Sequence, residues 1–276
     1  MKVFCIYNSK GGVAKTTTSV HLSFGLKFIE PKSRILLIDL DGQYSLKTYF
    51  RMKLERGDSF DFIFGGSLES CIYPTSVNIE NSAYSIDVMP SSSKMNAFDA
   101  KAANQPGREN LLKVRMEECE LEKLYDYVIL DCPPSLNLNS INGIMASDFL
   151  ISPANMDDYC IPSVNYTKES LSVIKRNMRT DKPILLGILP TMYDPRQSIS
   201  RAVFEALPTQ VKGTKILDPI RLNSSFRKAQ VQRSVVYGTE KSPFKATEDY
   251  LKFCKSVLEV TKAENLSPKL ERELNG

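Results

Sequence analysis

Between an apolar stretch at residues 2–7 (KVFCIY) and a segment of helical period at residues 15–28, the chain carries SKGGVAKTTT over residues 9–18. A buried strand, a turn with adjacent glycines and a helix, in that order, make a unit that assembles on parallel sheets. The rest of the chain repeats this alternation. Strands are expected at residues 35–39, 85–89, 127–131, 149–152 and 184–189, with a further short one at 215–217. Helices are expected at 108–124, 140–146, 163–177, 199–207 and 248–262. Runs such as ILLID and YVILD are too continuous for burial on one face, so they read as central strands covered on both sides. The apolar stripe of the last helix reads as packing on the sheet. The fold class expected is therefore α/β, a twisted, mostly parallel sheet flanked by helices on both faces. Residues 1–262 form one domain in this reading, and 263–276, polar and containing Pro268, form a frayed tail.

A loop between strand and helix points its backbone N–H groups, and those of the helix N-terminus, at one place, which favours an anion. Gly11 and Gly12 let phosphate oxygens come close where a side chain would collide. Lys15 can reach the β- and γ-phosphates as a point charge, the Thr16 hydroxyl is placed for Mg²⁺, and Thr17 can donate to the α-phosphate. Val13 and Ala14 complete the loop. The string fails the common G-x-x-x-x-G-K-[ST] pattern, because Ser9 and Ala14 stand at both glycine positions. It fits K-G-G-x-x-K-[ST]-[ST], with Lys10 as the first lysine. ATP or ADP with Mg²⁺ is the ligand expected.

Two further motifs end strands in acid. In RILLIDLDGQYS, residues 34–45, Asp39 and Asp41 fall on the same side of an extended chain. One carboxylate can hold a Mg²⁺-bound water while the other orients an attacking water. In YDYVILDCPPSL, residues 125–136, the apolar run ends at Asp131, the form of a Walker B strand that meets the Mg²⁺ shell through water. Pro133 and Pro134 stop that strand and direct a loop suited to sensing a γ-phosphate.

Taken with LPTMYDPR at 189–196 and IRLNSSFRKA at 220–229, these motifs resemble the ParA-type partition ATPases, of the Soj-like kind without an N-terminal helix-turn-helix. They belong to the deviant Walker A group of P-loop NTPases, which also includes MinD and the nitrogenase iron protein. The resemblance covers nearly the whole chain. It implies a weak, Mg²⁺-dependent ATP hydrolase whose two subunits sandwich two ATP molecules. It also implies that Lys10 reaches the partner's nucleotide, that Lys15 and Thr16 act as above, that Asp41 positions the hydrolytic water, and that the adenine lies near Met192 and Pro219. A ParB-like centromere-binding partner is implied as the activator of hydrolysis. Two positions depart from the family pattern: Gly42 stands where the usual D-P-Q has proline, and Ala14 where glycine is usual. Neither change removes a charge or hydroxyl that the chemistry uses.

The net charge of +4 is unevenly placed, since residues 196–245 hold ten basic and three acidic side chains. The DNA-binding candidates are Arg201, Lys212, Lys215, Arg227, Lys228, Arg233, Lys241 and Lys245. In the family such residues bind nonspecific double-stranded DNA, and phosphate contacts need positive charge without base-reading geometry. Only nine residues precede Lys10, too few for a helix-turn-helix. MinD-like membrane binding needs a basic amphipathic C-terminal helix, whereas the chain ends SPKLERELNG, so no membrane partner is expected. A nitrogenase-like cluster needs more cysteines than Cys132 in suitable context. The six cysteines form no C-x-x-C pair and read as reduced and buried. With no signal peptide and no apolar run near the ~20 residues that span a bilayer, the cytoplasm is expected, and the resemblance implies association with the nucleoid. The remaining alternative is a MinD-like or other cargo-positioning ATPase.

Overall fold

The computed structural model describes residues 1–237 and 245–263. Lys241 and residues 264–276 of the expected tail lie outside them. Seven strands, β1 (Lys2–Ile6), β2 (Ile35–Asp39), β3 (Tyr73–Ile79), β4 (Ser82–Met89), β5 (Tyr127–Asp131), β6 (Phe149–Asn155) and β7 (Ile184–Thr191), form one sheet. Their order is β3-β4-β2-β5-β1-β6-β7, parallel throughout except for the antiparallel pair β3–β4 at one edge. The helices are α1 (Lys15–Ile29), α2 (Ser45–Phe50), α3 (Ser59–Ile63), α4 (Leu68–Cys71), α5 (Phe98–Ala102), α6 (Leu111–Glu118), α7 (Leu121–Leu124), α8 (Leu138–Met145), α9 (Cys160–Met178), α10 (Ser198–Gln210), α11 (Ser225–Val231) and α12 (Lys245–Ala263), with a 3₁₀ turn at Ser93–Ala97.

The central strands bury both faces, and their side chains alternate between two cores. Phe4, Ile6, Ile35, Leu37 and Ile129 join Val20, Phe24 and Leu26 of α1 and Tyr250, Phe253 and Val257 of α12 on one side. Val3, Cys5, Leu36, Ile38, Val128 and Leu130 join Leu112 and Met116 of α6, Ile144 of α8 and Leu171 and Ile174 of α9 on the other. The stripe of the last helix thus packs inward, as expected, where it lies on α1. Five cysteines are buried, Cys119 is half-buried, and all six are free thiols.

Three local expectations differ. β3 is absent from the sequence-based expectation, because YPTSVNI is polar, alternately exposed and interrupted by Pro74, and it is a strand only through its pairing with β4. The single helix expected over 108–124 is two, since Glu120 adopts a left-handed conformation (φ 49°) between α6 and α7. The strand expected at 215–217 is reduced to one parallel bridge, Ile188 to Ile216.

The functional consequence of the parallel topology is that β1, β2, β5, β6 and β7 all end at one edge of the sheet. Crevices at the carboxyl ends of parallel strands are where such sheets bind ligands. The three motifs all open from that edge.

Candidate functional site

Strand register brings the acids together. Asp39 at the end of β2 lies opposite Asp131 at the end of β5, and Asp131 lies opposite Ile6 of β1, from which the glycine loop departs. The loop turns into α1 through Gly12 (φ 74°) and Ala14 (φ 65°, ψ 31°), both left-handed. For alanine that conformation costs roughly 1–2 kcal/mol. The Thr18 N–H donates to the Ala14 carbonyl at 2.9 Å, the first bond of α1, so the N–H groups of Lys15, Thr16 and Thr17 precede any intrahelical acceptor. The loop is tied down on several sides. The Lys10 N–H donates to Asn8 Oδ1 at 2.8 Å, Asn8 Nδ2 to Ser152 Oγ at 3.1 Å, Thr191 Oγ1 to the Val13 carbonyl at 3.1 Å, and Ser9 Oγ to the Ser163 carbonyl at 3.3 Å.

Lys15 curls back over this loop, donating to the carbonyls of Lys10 (3.0 Å) and Asn8 (3.3 Å). Burial lowers its pKa, and the Asp131 and Asp41 carboxylates partly offset that shift. Asp131 is buried; its Oδ1 accepts from Ser19 Oγ at 3.0 Å, while its Oδ2 has no hydrogen-bond partner among the described residues. Burial pushes the Asp131 carboxyl up to about 6, against the pull of the Thr16 and Ser19 hydroxyls. Asp39 is raised well above the usual carboxylate range by burial and then by Asp131. Its two oxygens accept the N–H groups of Asp41 (2.9 Å) and Leu46 (3.1 Å), so Asp39 also shapes the loop that carries Asp41. Asp41 is half-buried, and its Oδ1 accepts the Gln43 N–H at 3.0 Å.

No group of three His, Cys, Asp or Glu side chains able to hold a metal occurs among the described residues. A cation here would draw on the Thr16 hydroxyl, waters and ligand oxygens, which is how Mg²⁺ is usually held beside phosphates. The unpartnered Asp131 Oδ2 is suited to such a water shell.

Lys10 points elsewhere. Its ammonium pairs with Asp157, just beyond β6, at 2.6 Å and stands 5.1 Å from the centre of the Tyr159 ring. Neither partner carries a motif, so sequence reading misses both, as it misses Ser19, Asn8 and Ser152. Strand order is the signal that finds Asp157, because β6 lies beside β1. Met192 (φ 52°) follows β7, and the chain carrying Pro219 runs alongside it, with Ile220 N–H donating to the Pro190 carbonyl (2.8 Å) and Tyr193 N–H to that of Ile220 (3.1 Å).

Among the basic candidates, Arg201 lies on α10, Lys212 and Lys215 follow it, Arg227 and Lys228 lie on α11, Arg233 follows, and Lys245 opens α12. All seven are exposed, and none has an ion-pair partner among the described residues. By contrast Arg196 is paired with Asp194, and Arg221 with Asp249 and Glu248. α11 is seated on α1, where Phe226 meets the buried ring of His21 edge-on at 5.4 Å. Burial holds His21 neutral, lowering its pKa to about 4; its Nδ1 lies 2.8 Å from the Thr17 carbonyl. No helix among the described residues is long and apolar enough to cross a membrane.

Residues 1–184 match a family described as AAA domain. The chromosome partitioning protein ParA of Myxococcus xanthus is 29% identical over 207 residues, covering 74% of this chain and 69% of that one. The sporulation initiation inhibitor protein Soj of Bacillus subtilis is 31% identical over 216 residues, covering 74% of this chain and 78% of its own. Among solved structures, the cobyrinic acid a,c-diamide synthase of Mycobacterium smegmatis, with bound ATP analog and magnesium, superposes with a TM-score of 0.77 at 25% identity over 96% of this chain and 97% of that one. With its α/β sheet of P-loop NTPase type and its glycine loop at the carboxyl edge, the chain belongs to the ParA/Soj family of partition ATPases.

Proposed function

We propose that this protein is a DNA-partition switch that binds ATP with Mg²⁺, closes into an ATP-sandwich dimer, holds nonspecific duplex DNA in that state and lets go on hydrolysis. The observation that carries the reading is the placing of Lys15, Thr16, Asp39, Asp41 and Asp131 at one edge of the sheet, around the N-terminus of α1. The loop Lys10, Gly11, Gly12, Val13, Ala14, Lys15, Thr16 and Thr17 binds the phosphates through backbone N–H groups and the Lys15 ammonium. Met192 and Pro219 flank the adenine. Thr16, with Asp39 and Asp131 through water, would hold Mg²⁺, which when bound offsets phosphate charge. Asp41 orients the attacking water, and Lys10 acts across the dimer.

The DNA half rests on the seven exposed basic side chains that have no ion-pair partner among the described residues, and Lys241, which lies outside those residues, is added from the sequence alone. A ParB-like partner is the stimulating factor in this reading, which makes the protein cytoplasmic and nucleoid-associated. The test is retardation of random duplex DNA with ATP, with ADP and without nucleotide. ATP-dependent retardation that disappears at high salt supports the proposal; equal retardation in all three states removes the switch. The solved diamide synthase suggests a second reading, an ATP-dependent amide ligase. ATP turnover that needs an added carboxylic acid and ammonia, and ignores DNA, would favour it.

A further inference from the structure

The residue after Asp41 is glycine, the most pliable joint available directly beside a group whose position matters. Nothing in the backbone demands it, because Gly42 is not among the left-handed residues of the chain. Its neighbour crowds it instead. Gly42 is buried, and a Cβ there would overlap the Asn96 side-chain oxygen and come within 2.8 Å of its Cγ and 3.3 Å of the Asn96 backbone nitrogen. The exposed Asn96 side chain therefore stands against the α-carbon of Gly42.

The same segment also holds Asp41 itself. Ser91 Oγ donates to the Asp41 carbonyl at 2.5 Å, beside the Tyr44 N–H, which donates to the same oxygen at 2.9 Å. A third tie comes from α8, where Asn139 Nδ2 donates to the carbonyls of Leu40 (3.3 Å) and Met95 (3.2 Å) and so joins the two segments.

We infer that Ser91 and Asn96 are positioning residues for hydrolysis, forming a wall that holds the Gly42 joint still so that the Asp41 carboxylate keeps its aim. The inference rests on the reading of Asp41 as the residue that orients water. Neither side chain is part of the phosphate loop, so nucleotide affinity should not depend on them. Without the Ser91 hydroxyl the Asp41 carbonyl still accepts the Tyr44 N–H, so the fold keeps that oxygen satisfied. Misplacement of a reacting group by about 1 Å can cost up to about a hundredfold in rate.

The experiment measures ATP hydrolysis, ATP affinity and thermal midpoint on the full chain. Ser91→Ala and Asn96→Ala are expected to lower kcat roughly tenfold or more with ATP affinity and midpoint unchanged. Gly42→Ala, which displaces the Asn96 side chain, is expected to slow hydrolysis as well, and to add nothing further in an Asn96→Ala background. Unchanged kcat in both single variants would overturn the inference, and so would declines in affinity and midpoint that parallel the decline in rate. Asp41→Ala is the control. If it hydrolyses ATP at the wild-type rate, the reading of Asp41 itself falls; if it is inactive while the Ser91 and Asn96 variants keep full activity, only the wall falls.

Discussion

The Lys10 ammonium sits 2.7 and 2.6 Å from the two carboxylate oxygens of Asp157, a residue 147 positions away. If Lys10 acts on a partner's nucleotide, this contact within its own subunit must open first. Both side chains are about a third exposed or less, 27% for Lys10 and 35% for Asp157. A pair so placed is worth about 1 kcal/mol or less. Asp157→Asn is expected to strengthen ATP-dependent dimerisation by up to about fivefold for each of the two contacts a symmetric dimer opens, up to about 25-fold together, read by analytical ultracentrifugation. A weakened dimer would mean that Asp157 works in the closed state instead.

Ala14 is the strained residue of the phosphate loop. Its φ of 65° suits glycine, because a β-carbon in that conformation crowds the following carbonyl. Ala14→Gly is expected to stabilise the protein by ~1 kcal/mol and to raise the thermal midpoint by a few degrees. A lower midpoint would show that the methyl packs usefully.

Asp131 sets a pH dependence whose sign can be worked out. Its folded pKa of about 6 lies above the ordinary value of 3.8. Between those values the native state holds more protons than the unfolded chain, so this carboxyl's contribution to stability falls as pH rises, and the penalty is complete above about pH 6. Asp131→Asn removes the penalty and can keep the Ser19 bond through its Oδ1. The variant is expected to be more stable than the parent above pH 6 and equal to it below pH 4, in urea melts at both ends of that range. An equal gain at both pH values would rule out the buried charge as the cause.

What the sequence disclosed follows the burial of each element. β2 and β5 lie where ILLID and YVILD place them, to the residue, because strands buried on both faces must be continuously apolar. β3 was hidden for the opposite reason, as an edge strand whose outer residues face water. At the site, Lys15, Thr16, Asp39, Asp41 and Asp131 were legible because each lies in or next to a strand-end motif. Asp157, Ser91 and Asn96 were not, because their contacts depend on which strand neighbours which and on how closely Gly42 lets another segment approach. Two left-handed residues, Ala14 and Glu120, were likewise invisible to a reading by residue preference, and the second split a helix.

Among the described residues, the exposed cations divide into those with an ion-pair partner and those without, and the two groups should differ in a DNA assay. Lys228→Glu and Lys215→Glu are expected to weaken ATP-dependent DNA binding and to flatten its salt dependence by about 0.9 in log–log slope for each phosphate no longer neutralised. Arg196→Gln, whose charge is already met by Asp194, is expected to change little. Equal weakening in all three would mean that net charge, rather than this surface, governs binding.

The most direct test of the account is the mass of Asp41→Ala with Mg²⁺ and ATP, read by size-exclusion chromatography with light scattering. The account predicts a stable dimer, because the variant keeps the whole phosphate loop and Lys10 but lacks the group proposed to orient water. The same variant carrying Lys10→Ala should be monomeric. An Asp41→Ala protein that binds ATP and stays monomeric would contradict the dimer switch.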